Sequence, residues 1–435
     1  MKNLIFLVSM LCMALAGYAQ TNVYVDWNKP NFEVTAYHWG INDEKVSAPD
    51  DGSGTADKGY NQYFNALSPA LIRIHHAEMV KNLFDSEKKS WKVEKMKTTF
   101  GNAEVYKKAD LLFNLCGWPA YMDKGGMLNP AYEAEYLQIL ADLVRVMRDE
   151  VGLKVKYWEL TNEKEDEYEK HDRLNDLWDL YLNMAKVVKK VDPLAKVGGP
   201  ALTHPAPKWV NSFLDRVHDQ MDFLTWHNYG SPPAPEKYSD SVVVNRSVDV
   251  IANSAAFVKG ELAKRNIEVE TFLSEFNIQW TWTPVDERHG NNIGALFQAL
   301  VVTKVAQQGV TGACVWHFKG DSYGLLSQDN TPRTPYYLYD WAKDYLIGQM
   351  TPFQTDHEAL EVVGFQQKNG QRALLLMNKS ANELPLAFQE LSKKEIKTVE
   401  TLVANQYAPK KLKGKHRFSI PGHSVMLVTL SSAAN

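Results

Sequence analysis

Cysteine is nearly absent: the 435 residues hold three, and Cys12 falls in a segment read below as a removable leader. The other two, Cys116 and Cys314, stand in apolar, strand-like runs, LLFNLCGW and GACVWHF. A chain of this length completes a core without disulfides, so both read as buried free thiols. No Cys/His spacing suggests a metal site, and no cofactor is expected. An excess of charge is also missing. A net charge of −4 gives no basic field for nucleic acid and no acidic extreme that marks disorder. Repeats, low-complexity tracts and flexible linkers are absent too. Composition leaves the oligomeric state open.

Long hydrophobic runs are confined to the start, MKNLIFLVSMLCMALAGYAQ. Lys2 supplies a positive end, Leu4 to Ala16 an apolar stretch, and Gly17-Tyr18-Ala19 a small-x-small cleavage pattern. The stretch is shorter than the ~20 residues of a spanning helix, so 1–19 reads as a signal peptide and membrane insertion is not expected. Small residues do not precede Cys12 as a lipoprotein signal requires. The mature chain is therefore expected in the periplasm or outside the cell.

What is present from residue 32 to 346 is a recurring unit: a short apolar run, then an amphipathic stretch. The runs are Phe32–Tyr37, Ala70–His75, Ala109–Leu115, Val155–Leu160, Ala195–Gly199, Asp222–His227, Glu270–Glu275 and Gly312–Phe318. Stretches such as AEYLQILADLVRVMRDEV carry apolar residues at helical spacing. Near-continuously apolar strands separated by helices imply a parallel sheet covered on both faces. Eight such units fit a (β/α)8 TIM barrel over 20–347. An open doubly wound sheet is the alternative, but no Gly-rich phosphate turn follows the first run. From 348 to 435 the pattern becomes short alternating strands, as in ALEVVGFQQ and HSVMLVTL, which read as a small β-sandwich. Asn22–Trp27 is a strand that could join it.

In a (β/α)8 barrel, chemistry sits at the C-terminal strand ends. The fourth run leads into Trp158-Glu159-Leu160-Thr161-Asn162-Glu163, and the seventh into Ser274-Glu275-Phe276-Asn277. Strands four and seven face each other across such a barrel, so Glu163 and Glu275 can flank one sugar ring. Cleavage of a glycoside uses such a pair, one to protonate the leaving oxygen and one to stabilise or bond the anomeric carbon. An Asn-Glu pair alone occurs by chance in most chains of this length, and a lone strand-end Glu is more often a salt-bridge partner. The joint placement is the informative signal.

These residues resemble the clan A retaining glycoside hydrolases, and most of all glycoside hydrolase family 39. Thr161-Asn162-Glu163 is similar to the acid/base motif of the clan. Trp226-His227-Asn228-Tyr229 is similar to the family's His-x-Tyr, Lys196-Val197-Gly198-Gly199-Pro200 to its Val-Gly-Gly-Pro, and Gly40-Ile41-Asn42 to its entry motif. The resemblance spans the barrel and the appended strands. It implies Glu163 as general acid/base, Glu275 as nucleophile, and Asn162 as donor to the sugar 2-hydroxyl. It further implies that Tyr229 and Arg73 hold Glu275, that His227 binds a hydroxyl or orients Glu163, and that Trp316 floors the site. Loop aromatics Trp118, Tyr121, Trp280 and Trp282 are candidate sugar platforms, and His75 and His76 candidate lining residues.

The sequence departs from that family in two places. Lys164 stands where Pro usually follows Asn-Glu, before an acidic run Glu165-Asp166-Glu167 that reads as a solvated helix start. After strand eight, Lys319-Gly320-Asp321-Ser322-Tyr323 keeps only one acidic residue. The implied activity is cleavage of β-linked glycosides with retention, as in β-xylosidases or α-L-iduronidases. The alternatives are an endo-glycanase on a plant or algal polysaccharide, and an inactive carbohydrate-binding protein of the same fold.

Overall fold

The computed structural model describes residues 20–29, 32–44, 54–75, 77–232, 234–392, 394–404, 406, 408–411 and 418–431. The leader read in 1–19 and the candidate His76 lie outside these residues.

Eight parallel strands close into a barrel. They are β1 (Gly40–Asp43), β2 (Leu71–His75), β3 (Asp110–Leu115), β4 (Val155–Leu160), β5 (Lys196–Leu202), β6 (Phe223–Tyr229), β7 (Glu270–Asn277) and β8 (Gly312–Val315). Seven coincide with the apolar runs read from sequence. The first does not. Phe32–Val34 forms a strand, but it pairs antiparallel with the segment beginning at Gly348. Thr35 then ends it: its side chain caps the 3-10 turn Ala36–Trp39, and the barrel strand starts only at Gly40. Phe32–Val34 is mainly apolar whereas Gly40–Asp43 (GIND) is half polar, so a search for apolar runs selects the wrong one of two short pieces divided by one turn.

Inside the barrel, side chains stack by height. Leu71, Leu112, Tyr157, Phe223, Phe272 and Cys314 form an apolar layer. Two residues further along the strands the interior turns polar: Arg73 sits level with Asn42, and Asn114 level with Glu159. All four are fully buried. Intervening residues Ile72, Phe113, Trp158 and Leu273 point outward into the helix-facing core. Strand periodicity of two thus sorts one strand into a barrel filling and a helix platform.

The longer C-terminal strands are β9 (Gly348–Thr355), β10 (Leu360–Gln366), β11 (Arg372–Asn378), β12 (Leu384–Gln389), β13 (Ile396–Leu402), β14 (Phe418–Ile420) and β15 (Ser424–Leu430), with Lys410–Lys411 paired to the edge of β13. Thr21–Tyr24 joins them, pairing parallel with β12 and antiparallel with β9. Alternate residues of β11 serve two cores. Leu374 and Leu376 pack inside the sandwich with Val23, Leu386 and Phe418. Leu375 and Met377 join the main core. This double burial explains why RALLLMN and SVMLVTL read as unbroken apolar runs. The helix α1 (Asn292–Gln307) is apolar almost all round because it packs into the core that the barrel shares with this sheet. Cys116 and Cys314 are free thiols, the latter buried.

Candidate active site

β4 and β7 each depart from regular geometry where they reach the barrel mouth. Past β4, Thr161 and Glu163 take left-handed backbone conformations, with φ of 89° and 50°. Such conformations cost about 1–3 kcal/mol each in a residue other than Gly, and persist when neighbours fix them. Here the Thr161 hydroxyl donates to Pro200 O (2.9 Å), Asn114 donates to Thr161 O (3.1 Å), and the Glu163 amide donates to Ala201 O (3.0 Å). In β7 the register with β6 slips between the Trp226/Leu273 and His227/Glu275 pairs. This bulge turns Glu275 into the mouth, beside the inward-facing Ser274.

Arg73 is the hub. Its guanidinium is fully buried and donates from Nε to Glu159 (2.7 Å), from Nη1 to Asn42 (2.8 Å) and Glu275 (2.6 Å), and from Nη2 to Asn162 Oδ1 (2.7 Å). Because Asn162 accepts there, its NH2 group remains for a substrate hydroxyl. Tyr229 donates its hydroxyl to the other Glu275 oxygen at 2.9 Å. His227 is fully buried; its Nδ1 lies 2.7 Å from Glu163 Oε1 and its Nε2 3.4 Å from Glu275 Oε1. One carboxylate oxygen from each of Glu163 and Glu275 and one His227 nitrogen all fall within 4.8 Å of one another. Those atoms could also face a cation, but each is already engaged with Arg73, Tyr229 or its neighbour in the cluster.

The charges follow from this geometry. Burial pushes the Glu275 carboxyl above its ordinary value, against the pull of His227 and Arg73, with the Glu163 charge adding to the rise. Burial also pushes Glu163 up, but the bond and charge of His227, with Arg73 and Lys164, bring it below the usual carboxylate range. For His227, burial favours the neutral ring, yet the carboxylates of Glu275 and Glu163 hold it above its usual value. The two shifts run in opposite directions, and groups this close titrate as a unit. Burial keeps the Tyr229 hydroxyl protonated.

These residues open into a cleft of 1090 Å³. Asn162, Glu163, Tyr229, Glu275, Trp280 and Trp316 line it, as do His75 and Trp282. From the carboxylates it runs over the loops after β5 and β6, past His204, Tyr238 and Arg246. Trp280 and Trp282 are 57% and 47% exposed. Trp118 does not line the cleft: its indole N–H donates to Asp123 and Lys164 covers its face. Tyr121 bonds Glu135 away from the site. Asp321 caps a local turn through Gln328. The acidic run does start a helix, Glu165–Lys170, but Glu165 is not solvated. It is 1% exposed and accepts from the Thr203 amide, tying the β4 and β5 loops together.

Sequence reasoning quoted Asn42 in a motif and Glu159 in a strand without giving either a role, and passed over Asn114 and the cleft-lining Glu44. Asn42, Asn114 and Glu159 are polar residues inside the barrel strands; their common height in neighbouring strands was the available signal. Gly198 has a packing role: a Cβ there would meet Phe223 O at 2.3 Å.

The profile of glycosyl hydrolases family 39 matches residues 117–372, more than half of the chain. The chain belongs to that family. It is a glycosyl hydrolase. Solved structures agree in fold. A monomeric β-xylosidase from Caulobacter crescentus CB15 superposes with a TM-score of 0.69 at 14% identity, covering 95% of this chain and 100% of that one. A glucosidase from Croceicoccus marinus gives 0.67 at 17%, covering 95% and 100%. A bifunctional glucanase-xylanase from a metagenome library gives 0.63 at 12%, covering 95% and 99%. At these identities the likeness speaks for the architecture alone. No curated protein matches the chain by sequence. The family 39 match begins at Gly117, after β3, so it includes Glu163, His227, Tyr229 and Glu275 but not Arg73 or Asn42.

Proposed function

We propose that this glycosyl hydrolase cleaves β-linked glycosides of oligo- or polysaccharides with retention of configuration, through a covalent intermediate on Glu275. The observation that carries the reading is the short span between the carboxylates, whose facing oxygens lie within 4.8 Å. Retaining enzymes hold their carboxyl groups about 5–5.5 Å apart, whereas inverting ones leave about 6.5–9.5 Å for a water.

In the first step Glu275 attacks the anomeric carbon while the proton held by the Glu163–His227 pair passes from Glu163 to the leaving oxygen. Arg73 and Tyr229 fix the attacking carboxylate, and Asn162 donates to the 2-hydroxyl. In the second step Glu163, now ionised, takes a proton from water, which displaces the sugar from Glu275 and restores the shared proton. Trp316 closes the floor of the sugar site.

The open cleft and its exposed tryptophans favour a polymeric substrate cut within the chain. A single sugar does not need a trough that continues over two further loops, and aromatic faces exposed to water suit successive sugar rings. The N-terminal pattern supports export, and carbohydrate is the partner. The alternative of an inactive binding protein leaves the costly backbone at Thr161 and Glu163 without a purpose.

Glu275→Ala tests the reading. Turnover is expected to vanish with the fold intact, and azide to restore part of it on an activated aryl glycoside, giving the α-glycosyl azide. Full activity without Glu275 removes the nucleophile. Proton NMR of the first-formed product should show the starting anomer; the opposite anomer refutes retention. Product sizes from polysaccharides decide between internal and terminal cleavage.

A further inference from the structure

Arg73 is held between two buried carboxylates, and only one of them lies at the cleft. Glu159 is fully buried, its Oε2 accepts from Arg73 Nε and from Asn114 (2.7 Å each), and it does not line the cleft. Its Oε1 is buried with no hydrogen-bond partner among the described residues. Stability does not account for this arrangement, because a buried ion pair is often matched by apolar residues of the same volume. An unpartnered carboxylate oxygen makes the case weaker still.

We propose that Glu159 is a positioning residue for glycoside cleavage: it anchors Arg73 and offsets its charge, so that Glu275 keeps its negative charge available to the sugar. The inference rests on Glu275 acting as nucleophile.

The geometry shows both halves of the role. With Nε fixed on Glu159, the planar guanidinium has one orientation in which Nη1 meets Glu275 and Nη2 meets Asn162. Arg73 thereby sets the rotamers of the attacking group and of the 2-hydroxyl donor together. A guanidinium paired with Glu275 alone would neutralise the carboxylate that must face an oxocarbenium-like carbon. With Glu159 on its other edge, Arg73 is already balanced, and the Arg73–Glu159–Glu275 group carries one net negative charge toward the sugar. The remaining groups that face this trio are Glu163, His227, Tyr229, Tyr323 and Cys314. They are the same in every variant below.

Glu159→Gln keeps shape and an acceptor while removing the charge. Two measurements follow it. The first uses no substrate: protein labelled with 13Cδ-glutamate, the Glu275 resonance assigned by its loss in Glu275→Gln, and titrated by NMR. The Glu275 carboxyl is expected to titrate about one unit lower in Glu159→Gln than in the wild type, because one repelling charge is gone. The second is the pH profile of kcat and KM on the best of a panel of 4-nitrophenyl β-glycosides. The acid limb should move down by the same amount, kcat should fall about tenfold, and KM should stay within about twofold. Glu159→Asp, which keeps the charge, should restore the acid limb and part of kcat. A merely structural Glu159 predicts lower thermal stability with unmoved limbs, and that result overturns the proposal. So does a Glu275 titration that is unchanged in Glu159→Gln. If Glu275→Ala retains turnover, the parent reading fails instead, and the NMR titration still reports on the charge coupling.

Discussion

Replacing His227 with glutamine separates two accounts of where the catalytic proton resides. In one, Glu163 is the acid by itself, and His227 only lowers its pKa. In the other, the proton belongs to the Glu163–His227 pair and is found on either partner. The structure favours the second: the two atoms are 2.7 Å apart, the ring is fully buried, and the shifts on the two groups are opposite. The alkaline limb of kcat/KM reports loss of the essential proton from the free enzyme. For the pair, that limb lies above the ordinary imidazole value of 6.5. Glutamine keeps a donor but cannot take up the proton, so Glu163 must hold it alone, starting from an ordinary value of 4.5 and raised by burial. With the imidazole site gone, the limb moves down from above 6.5 toward the Glu163 value, by about 1–2 units. At pH 7 the rate should then drop about 10- to 100-fold, with recovery in more acidic buffer.

The assay is a kcat/KM profile between pH 4 and 9 on an aryl glycoside, with circular dichroism to verify that the variant is folded. The single-acid account predicts the opposite sign. There the wild-type limb lies below 4.5, and removing His227 lets burial raise it. A limb that moves up, or does not move, refutes the shared proton.

Three further outcomes follow from particular contacts. Glu163→Ala should reduce kcat/KM about 10²- to 10⁴-fold on natural linkages and far less on dinitrophenyl glycosides, whose leaving groups need no proton; equal losses on both argue against an acid role. His38 and His289 are buried as neutral rings, each lowered to about 4 mainly by burial. Their folded values lie below the unfolded 6.5, so the stability they protect is complete above pH 6.5 and is lost as pH falls toward 4. Each gap corresponds to about 3 kcal/mol. Urea midpoints should fall through that window, and His289→Gln should flatten the fall; an unchanged slope counts against it. Gly198→Ala places a Cβ 2.3 Å from the Phe223 carbonyl oxygen and 2.4 Å from its ring. Stability should drop by about 1–3 kcal/mol or more in urea unfolding, and a neutral result means β5 and β6 can separate.

How much of this was legible depends on whether a residue's neighbours in sequence are also its neighbours in space. The barrel was readable because each strand is covered on both faces, which forces a continuous apolar run whatever the helices contribute. The strand-end carboxylates were readable through their joint placement after the fourth and seventh of eight such runs, since either one alone has an ordinary structural reading. Phe32–Val34 was misplaced for the complementary reason. It is as apolar as a barrel strand, and its pairing with Gly348–Met350 is a contact between distant segments that no local pattern encodes. Glu165 looked solvated because it begins an acidic run, yet its partner is an amide across the β4–β5 gap.

The polar layer makes the same point from inside the barrel. GIND, LIRIH, LLFNL and VKYWEL each contain a polar residue that reads, strand by strand, as an imperfection. Closed into a barrel, Asn42, Arg73, Asn114 and Glu159 become one hydrogen-bonded network directly beneath Asn162, His227 and Glu275. Its amide groups tie it to the strands around it: Asn42 donates to Ser274 O and Cys314 O, and Asn114 bridges Glu159 and the strained Thr161. A network of this kind is costly when any one member is missing. Truncating Asn114 therefore loosens the Thr161 carbonyl and the Glu159 carboxylate together, and the left-handed turn that aims Glu163 loses one of its three tethers. Glu163 just past β4 and Glu275 on β7 are thus held by one buried scaffold, and it is this shared support that keeps their oxygens within 4.8 Å.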